Sequence, residues 1–303
     1  MNAAIKMIAL DLDGTLFNEH KEITQASYDT IQEAIRQGIL VIPTTGRPVA
    51  GIPPSILSLP GVRYIITSNG ARVVELTPKQ PFKLDEQARL NTVTEAFDVK
   101  VLYEHLLSKE AARRALHILK KYDTLCEVYY QGQGYAPKKQ KEEVQKYHNN
   151  PAMWQYFWST RVFVEDLEVL VGELDGDLDK IQSLFVDMDE RQQALEELQM
   201  CNEYTLVGSL LYNIEVNAKD VNKGISLLYL AESLGISADQ VMAIGDGDND
   251  YEMICQAGVG IAMANAEEHV LQAAKYITKS NNEDGVSYAI RTYALQASED
   301  LTC

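Results

Sequence analysis

The chain has 303 residues, with 44 acidic and 27 basic side chains, a formal net charge of −17 and 46% hydrophobic residues. That length holds one large domain or two moderate ones, and the apolar fraction is enough for packed cores, which excludes a wholly disordered chain. The acidic balance argues against a nucleic-acid scaffold, and an anionic substrate would need a local site, one containing a cation.

Residues 5–10 form a short apolar run, broken by Lys6 and ended by Asp11. It predicts a strand and is too short for a signal peptide or a membrane span. Residues 24–37 carry Tyr28, Ile31, Ala34 and Ile35 at helical spacing, with Gly38 as a stop. A second run, 39–42, ends at Thr44-Thr45-Gly46-Arg47, and a third, 63–67, at Ser68-Asn69-Gly70. Strands alternating with helices predict a parallel sheet covered on both faces.

Residues 84–208 have a different texture, with helical patterns at 109–121 and 190–199 and β-rich stretches at 125–130 and 181–187. The loop chemistry of the flanks is missing there, so this region reads as a second α+β unit inserted into the first. The flanking pattern then returns. Residues 223–234 are amphipathic and close at Gly235, and 241–244 run into Gly245-Asp246-Gly247-Asp248-Asn249-Asp250. Residues 259–262 and 276–278 read as further strands, 267–274 and 286–295 as helices, and the tail after Gln296 as frayed. The runs stop at polar residues, where ligands sit in open α/β sheets. Cys126, Cys201, Cys255 and Cys303 show no C-x-x-C spacing. That excludes a zinc ribbon or a thioredoxin-type site and predicts reduced thiols in the cytosol.

Asp11-Leu12-Asp13-Gly14-Thr15 closes the first run. In an extended chain residues i and i+2 project to one side, so both carboxylates face one pocket, and Gly14 permits a sharp turn after them. Two close carboxylates repel; a divalent cation relieves the repulsion and leaves one oxygen as a nucleophile. The same pattern also arises by chance, as in Asp187-Met188-Asp189. At Thr45-Gly46, a hydroxyl beside a glycine amide suits a phosphoryl oxygen, or caps an ordinary helix. Lys223, at a helix start, is either a charge balance for carboxylates and a phosphate or a surface lysine.

The turn at residues 245–250 packs three carboxylates and an amide together. Counted from Asp246, a calcium loop needs Gly and Glu where Tyr251 and Ala257 stand. Asp175-Gly176-Asp177-Leu178-Asp179 fails the same count, with Lys180 and Val186; a solvated acidic turn is the alternative for both and the expectation for the second. His20, His105, His117, His148 and His269 show no metal-ligand spacing, and serine-elbow and nucleotide-loop motifs are missing. Lys138, Lys139, Lys141 and Lys146 read as a solvated face, and Trp154, Tyr156, Phe157 and Trp158 as packing.

In this order the clusters resemble the haloacid dehalogenase-like hydrolases, specifically the Cof-type sugar-phosphate phosphatases. The matching pieces are DLDGTL at 11–16, TGR at 45–47, SNGA at 68–71, NKG at 222–224, GDGDND at 245–250 and SNNEDGV at 280–286. The resemblance implies an α/β fold: a doubly wound parallel-sheet (Rossmann-like) core, residues 1–83 and 209–303, with an inserted α+β cap domain, residues 84–208. It implies a cytoplasmic, Mg²⁺-dependent phosphatase of small phosphorylated metabolites, with no nucleic-acid or membrane partner. Asp11 would become an aspartyl-phosphate, and Asp13 would serve the leaving alcohol as acid and then water as base. Thr45, Gly46, Lys223 and Asn249 would hold the phosphoryl group. Asp11, Asp246 and the main-chain carbonyl of Asp13 would bind the metal, with Asp250 orienting its shell or Lys223. Thr44 stands where alanine is more usual. A phosphomutase or phosphotransferase on the same scaffold and a catalytically idle binding protein are the alternatives, and the oligomeric state is not readable.

Overall fold

The structure, a computed structural model, describes residues 4–79, 91–148, 150–208 and 211–295. The expectations for the tail and for Cys303 lie outside the described residues. The chain divides into two compact units, residues 1–44, 59–65 and 223–303 in one and residues 45–58 and 66–222 in the other.

The first unit is built on a five-stranded sheet in the order Tyr276–Ile277, Val259–Ala262, Val241–Gly245, Met7–Leu10, Leu40–Pro43, parallel throughout. The two central strands are buried along their whole length. Their unbroken apolar runs follow from being covered on both faces. The helix Gln25–Arg36 starts at Thr24, whose hydroxyl accepts from the Ser27 amide, and turns Ile31 and Ala34 inward. Its Thr30 hydroxyl lies 2.7 Å from that of Ser287 on the helix Gly285–Tyr293.

From Met7–Leu10 the chain first fills the sheet on one side and later on the other, so the strand order reverses there. Loops that follow such a reversal part in opposite directions and open a crevice at the carboxyl ends of the strands. Leu10 pairs with Ile244, and the Asp11 amide donates to the Ile244 carbonyl at 3.1 Å, so the two acidic loops leave the sheet side by side. The third apolar run departs from expectation. Its strand, Tyr64–Thr67, belongs to a three-stranded sheet with Arg72–Pro78 and Phe97–Glu104.

The second unit carries a six-stranded sheet in the order Tyr204–Val207, Asn213–Ala218, Lys180–Phe185, Thr124–Tyr130, Gln133–Pro137, Arg161–Val164. All pairs are antiparallel except the last, which is parallel. Alternation along the strands separates two cores. Val128, Ile181 and Val216 pack with Ala115, Leu119, Val171 and Leu198 of the helices Lys109–Leu119, Leu167–Glu173 and Met188–Met200. Leu125 and Leu184 point the other way, onto Val144 and Phe157 with Trp154 and Trp158 against them. Strand Asn213–Ala218 pairs with Lys180–Phe185, and Arg72–Pro78 pairs with Phe97–Glu104, so this unit extends beyond residues 84 and 208 on both sides.

One expectation fails here for a clear reason. Asp179 is fully buried rather than solvated, because its carboxylate accepts from Arg72 Nε at 2.6 Å and from the Gly132 amide at 2.7 Å. The acidic turn therefore ends in a structural anchor.

Candidate active site

The acidic loops of the first unit converge on one ammonium. Lys223 opens the helix Lys223–Ser233 and is fully buried, with Nζ 2.7 Å from Asp11 Oδ1 and 2.7 Å from Asp250 Oδ1. Asp250 is itself fixed, since its Oδ2 accepts from the amides of Asp246 and Gly247 at 3.0 and 3.1 Å. Residue 245 must be glycine for this, because a Cβ there would meet the Asp250 side chain at 2.5 Å. Across the site the Thr15 hydroxyl donates to Asp246 Oδ1 at 2.6 Å. Gly14, at φ +94°, lets that chain pass so close that any Cβ would collide with Asp246. Asn265 Nδ2 ties the Gly14 carbonyl down at 2.9 Å.

Asp11, Asp246 and Asp250 each offer an oxygen within 4.8 Å of the others, the one such group among the described residues. With all three ionised, one buried lysine faces three carboxylates. Burial, then the Asp250 charge, lift Asp11 well above the usual carboxylate range, against the pull of Lys223. Burial and Asp250 push Asp246 up to about 7, against the Thr15 hydrogen bond. For Lys223 burial opposes the charge, but Asp11 and Asp250 outweigh it and hold the ammonium above the usual lysine range. A small divalent cation with oxygen ligands would cancel this excess, so the residues present fit such an ion.

Asp13 sits at the rim, its side chain 35% exposed, where Lys21 Nζ donates to Oδ1 at 2.9 Å. Asn249 is buried in the short turn Asp248–Asp250. Thr45 and Gly46 belong to the second unit. There the Thr45 hydroxyl accepts from the Arg47 amide at 3.1 Å, and a Cβ on Gly46 would meet Asn69 Oδ1 at 2.8 Å. The sequence therefore named the carboxylates and the lysine that meet, but it gave no role to Thr15, Lys21 or Asn265. Thr15 stands inside the first motif and its hydroxyl was the available signal. Lys21 and Asn265 have no sequence signal, because their partners are set by loops.

Three carboxylates and a lysine at the reversal of a parallel sheet fit the class of enzymes that handle a charged ligand beside a cation. Comparison with known proteins narrows this class. The sequence profile of the haloacid dehalogenase-like hydrolases matches residues 8–290. A 5-amino-6-(5-phospho-D-ribitylamino)uracil phosphatase of Bacillus subtilis is 31% identical over 296 residues, 96% of each chain. Phosphatase YwpJ of the same organism is 28% identical over 306 residues, covering 95% of this chain and 99% of its own. The solved structure of a haloacid dehalogenase-like hydrolase from B. subtilis is 26% identical and superposes with a TM-score of 0.79 over 96% of this chain and 100% of its own. The chain belongs to the haloacid dehalogenase-like hydrolases and is a phosphoric monoester hydrolase.

Proposed function

We propose that the protein is a cytoplasmic, Mg²⁺-dependent phosphatase of small phosphorylated metabolites, with phosphorylated sugars and polyols as its substrate class. The observation that carries this reading is the buried Lys223 bridging Asp11 and Asp250 at 2.7 Å each, beside Asp246. Phosphoryl transfer asks for positioned charge more than for covalent ingenuity, and this is positioned charge.

Asp11, Asp246 and the main-chain carbonyl of Asp13 would hold the Mg²⁺, with Asp250 keeping Lys223 in place. When bound, the cation supplies positive charge to the phosphoryl oxygens. A carboxylate oxygen of Asp11 attacks phosphorus while the bond from phosphorus to the ester oxygen breaks. Asp13 gives its proton to that oxygen, and the alcohol leaves. Water then attacks the aspartyl-phosphate, Asp13 takes its proton, and phosphate departs with Asp11 restored. Lys223 and Asn249 would hold the phosphoryl oxygens, a role that the family resemblance also gives to Thr45 and Gly46. Three B. subtilis relatives are named as phosphatases of one phosphorylated ribityl compound, which supports a polyol phosphate as a first substrate to try.

Asp11→Asn tests the reading, since the amide is nearly isosteric and not nucleophilic. It should abolish phosphate release from a panel of sugar and polyol phosphates in Mg²⁺ while the unfolding midpoint stays close to wild type. Wild-type-like turnover in the variant would end the covalent mechanism.

A further inference from the structure

Lys21 occupies a position that its backbone disfavours. Its φ is +61°, the left-handed region, where a side chain carries strain and Gly or Asn is the ordinary choice. The turn around it is held by hydrogen bonds. Asn18 Oδ1 accepts from the amides of His20 and Glu22 at 2.9 and 3.0 Å, and the Lys21 amide donates to the Asn18 carbonyl at 3.0 Å. The turn is also anchored at its base, where Asn281 Nδ2 donates to the Phe17 carbonyl at 2.9 Å and the Glu19 amide donates to Asn282 Oδ1 at 3.0 Å. From this fixed base the lysine reaches Asp13 Oδ1 at 2.9 Å. Both side chains are about one-third exposed, 34% and 35%, so the pair adds little stability through charge alone. A strained residue in an over-determined turn, aimed at a carboxylate beside the reacting group, is the pattern of a functional constraint.

We infer that Lys21 is a positioning residue, which holds the Asp13 carboxyl group in the direction of the leaving oxygen through the Lys21 Nζ–Asp13 Oδ1 hydrogen bond. The inference rests on the proposed acid role of Asp13. No bond to substrate is assigned to Lys21. Without the lysine the Asp13 carboxyl loses this hydrogen bond at Oδ1, its direction is less closely fixed, and the proton would reach the leaving oxygen less often. That loss matters for an alkyl alcohol, which leaves badly unprotonated, and hardly matters for a nitrophenolate.

The test measures formation of the aspartyl-phosphate in a single turnover, with Mg²⁺, for an alkyl and an activated aryl phosphate. The proteins are wild type, Lys21→Met, Lys21→Gly, Asp13→Asn and the double variant Asp13→Asn with Lys21→Met. Glycine suits the left-handed turn, so that variant keeps the fold while removing the ammonium. Both Lys21 variants should slow the alkyl ester on the order of 10–100-fold, within the range of general acid catalysis and of small misplacements, and the aryl ester by less than about threefold, with substrate affinity unchanged. Lys21→Met should add nothing in the Asp13→Asn background. Equal slowing of both esters, a loss confined to KM, or an additive double variant would overturn the Lys21 role while Asp13→Asn stays alkyl-selective. If Asp13→Asn itself slows both esters alike, the acid reading fails and the Lys21 assignment goes with it.

Discussion

Lys223 and His148 are both buried bases, and they answer burial in opposite ways. Lys223 keeps its charge because two carboxylates stand 2.7 Å from Nζ. His148 lies in the second unit, with its Nδ1 3.4 Å from the Tyr212 hydroxyl, and burial lowers its pKa from the ordinary 6.5, with Glu127 pulling the other way. The folded chain then binds fewer protons here than the unfolded chain. Stability from this group is present above pH of about 6.5 and is lost as the pH falls through the depressed folded value. Urea unfolding of wild type and His148→Gln across pH 5–8 checks it. The stability difference should favour wild type less as the pH drops, and a difference independent of pH would contradict the assignment.

At the scale of elements, one three-residue pattern has two outcomes. Asp187-Met188-Asp189 starts the helix Met188–Met200, where Asp187 accepts from the amides of Asp189 and Glu190 at 2.8 and 3.2 Å. Asp11-Leu12-Asp13 follows a central strand, and Gly14 folds it back over Asp246. A capping aspartate satisfies backbone amides, which is why Asp187→Ala should cost about 1 kcal/mol of stability and leave turnover unchanged. Denaturant unfolding alongside a phosphatase assay reads both quantities. A loss of turnover without loss of stability would show that the second Asp-x-Asp acts in chemistry.

Taken whole, the molecule carries −17 formal charges, and its site gathers three carboxylates against one lysine. The proposed Mg²⁺ would bind the folded state and not the unfolded chain, and such binding stabilises the folded state by about 2.7 kcal/mol at a hundred times Kd. Adding Mg²⁺ should therefore raise the unfolding midpoint and chelation should abolish turnover. Asp246→Asn should lose most of the thermal shift. An unfolding midpoint indifferent to Mg²⁺, with activity intact in excess chelator, would remove the metal from the reading. Among the described residues, no helix is long and apolar enough to cross a membrane.

Local pattern alone determined the strands that carry the site. Unbroken apolar runs at Met7–Leu10 and Val241–Gly245 fit strands buried on both faces, as they are, and the acids that end them then stand at the edge of the sheet. Other matters depend on contacts between distant residues, which no spacing encodes. Asn213–Ala218 is read as core until its pairing with Lys180–Phe185 is seen, and Asp179 is read as solvated until Arg72 reaches it. The left-handed turn that aims Lys21 at Asp13 is held by Asn281 and Asn282, more than 260 residues away along the chain. Sequence supplies the functional groups and their periodicity. Only the tertiary structure decides which of them meet, because burial and hydrogen-bond partners are properties of the folded chain.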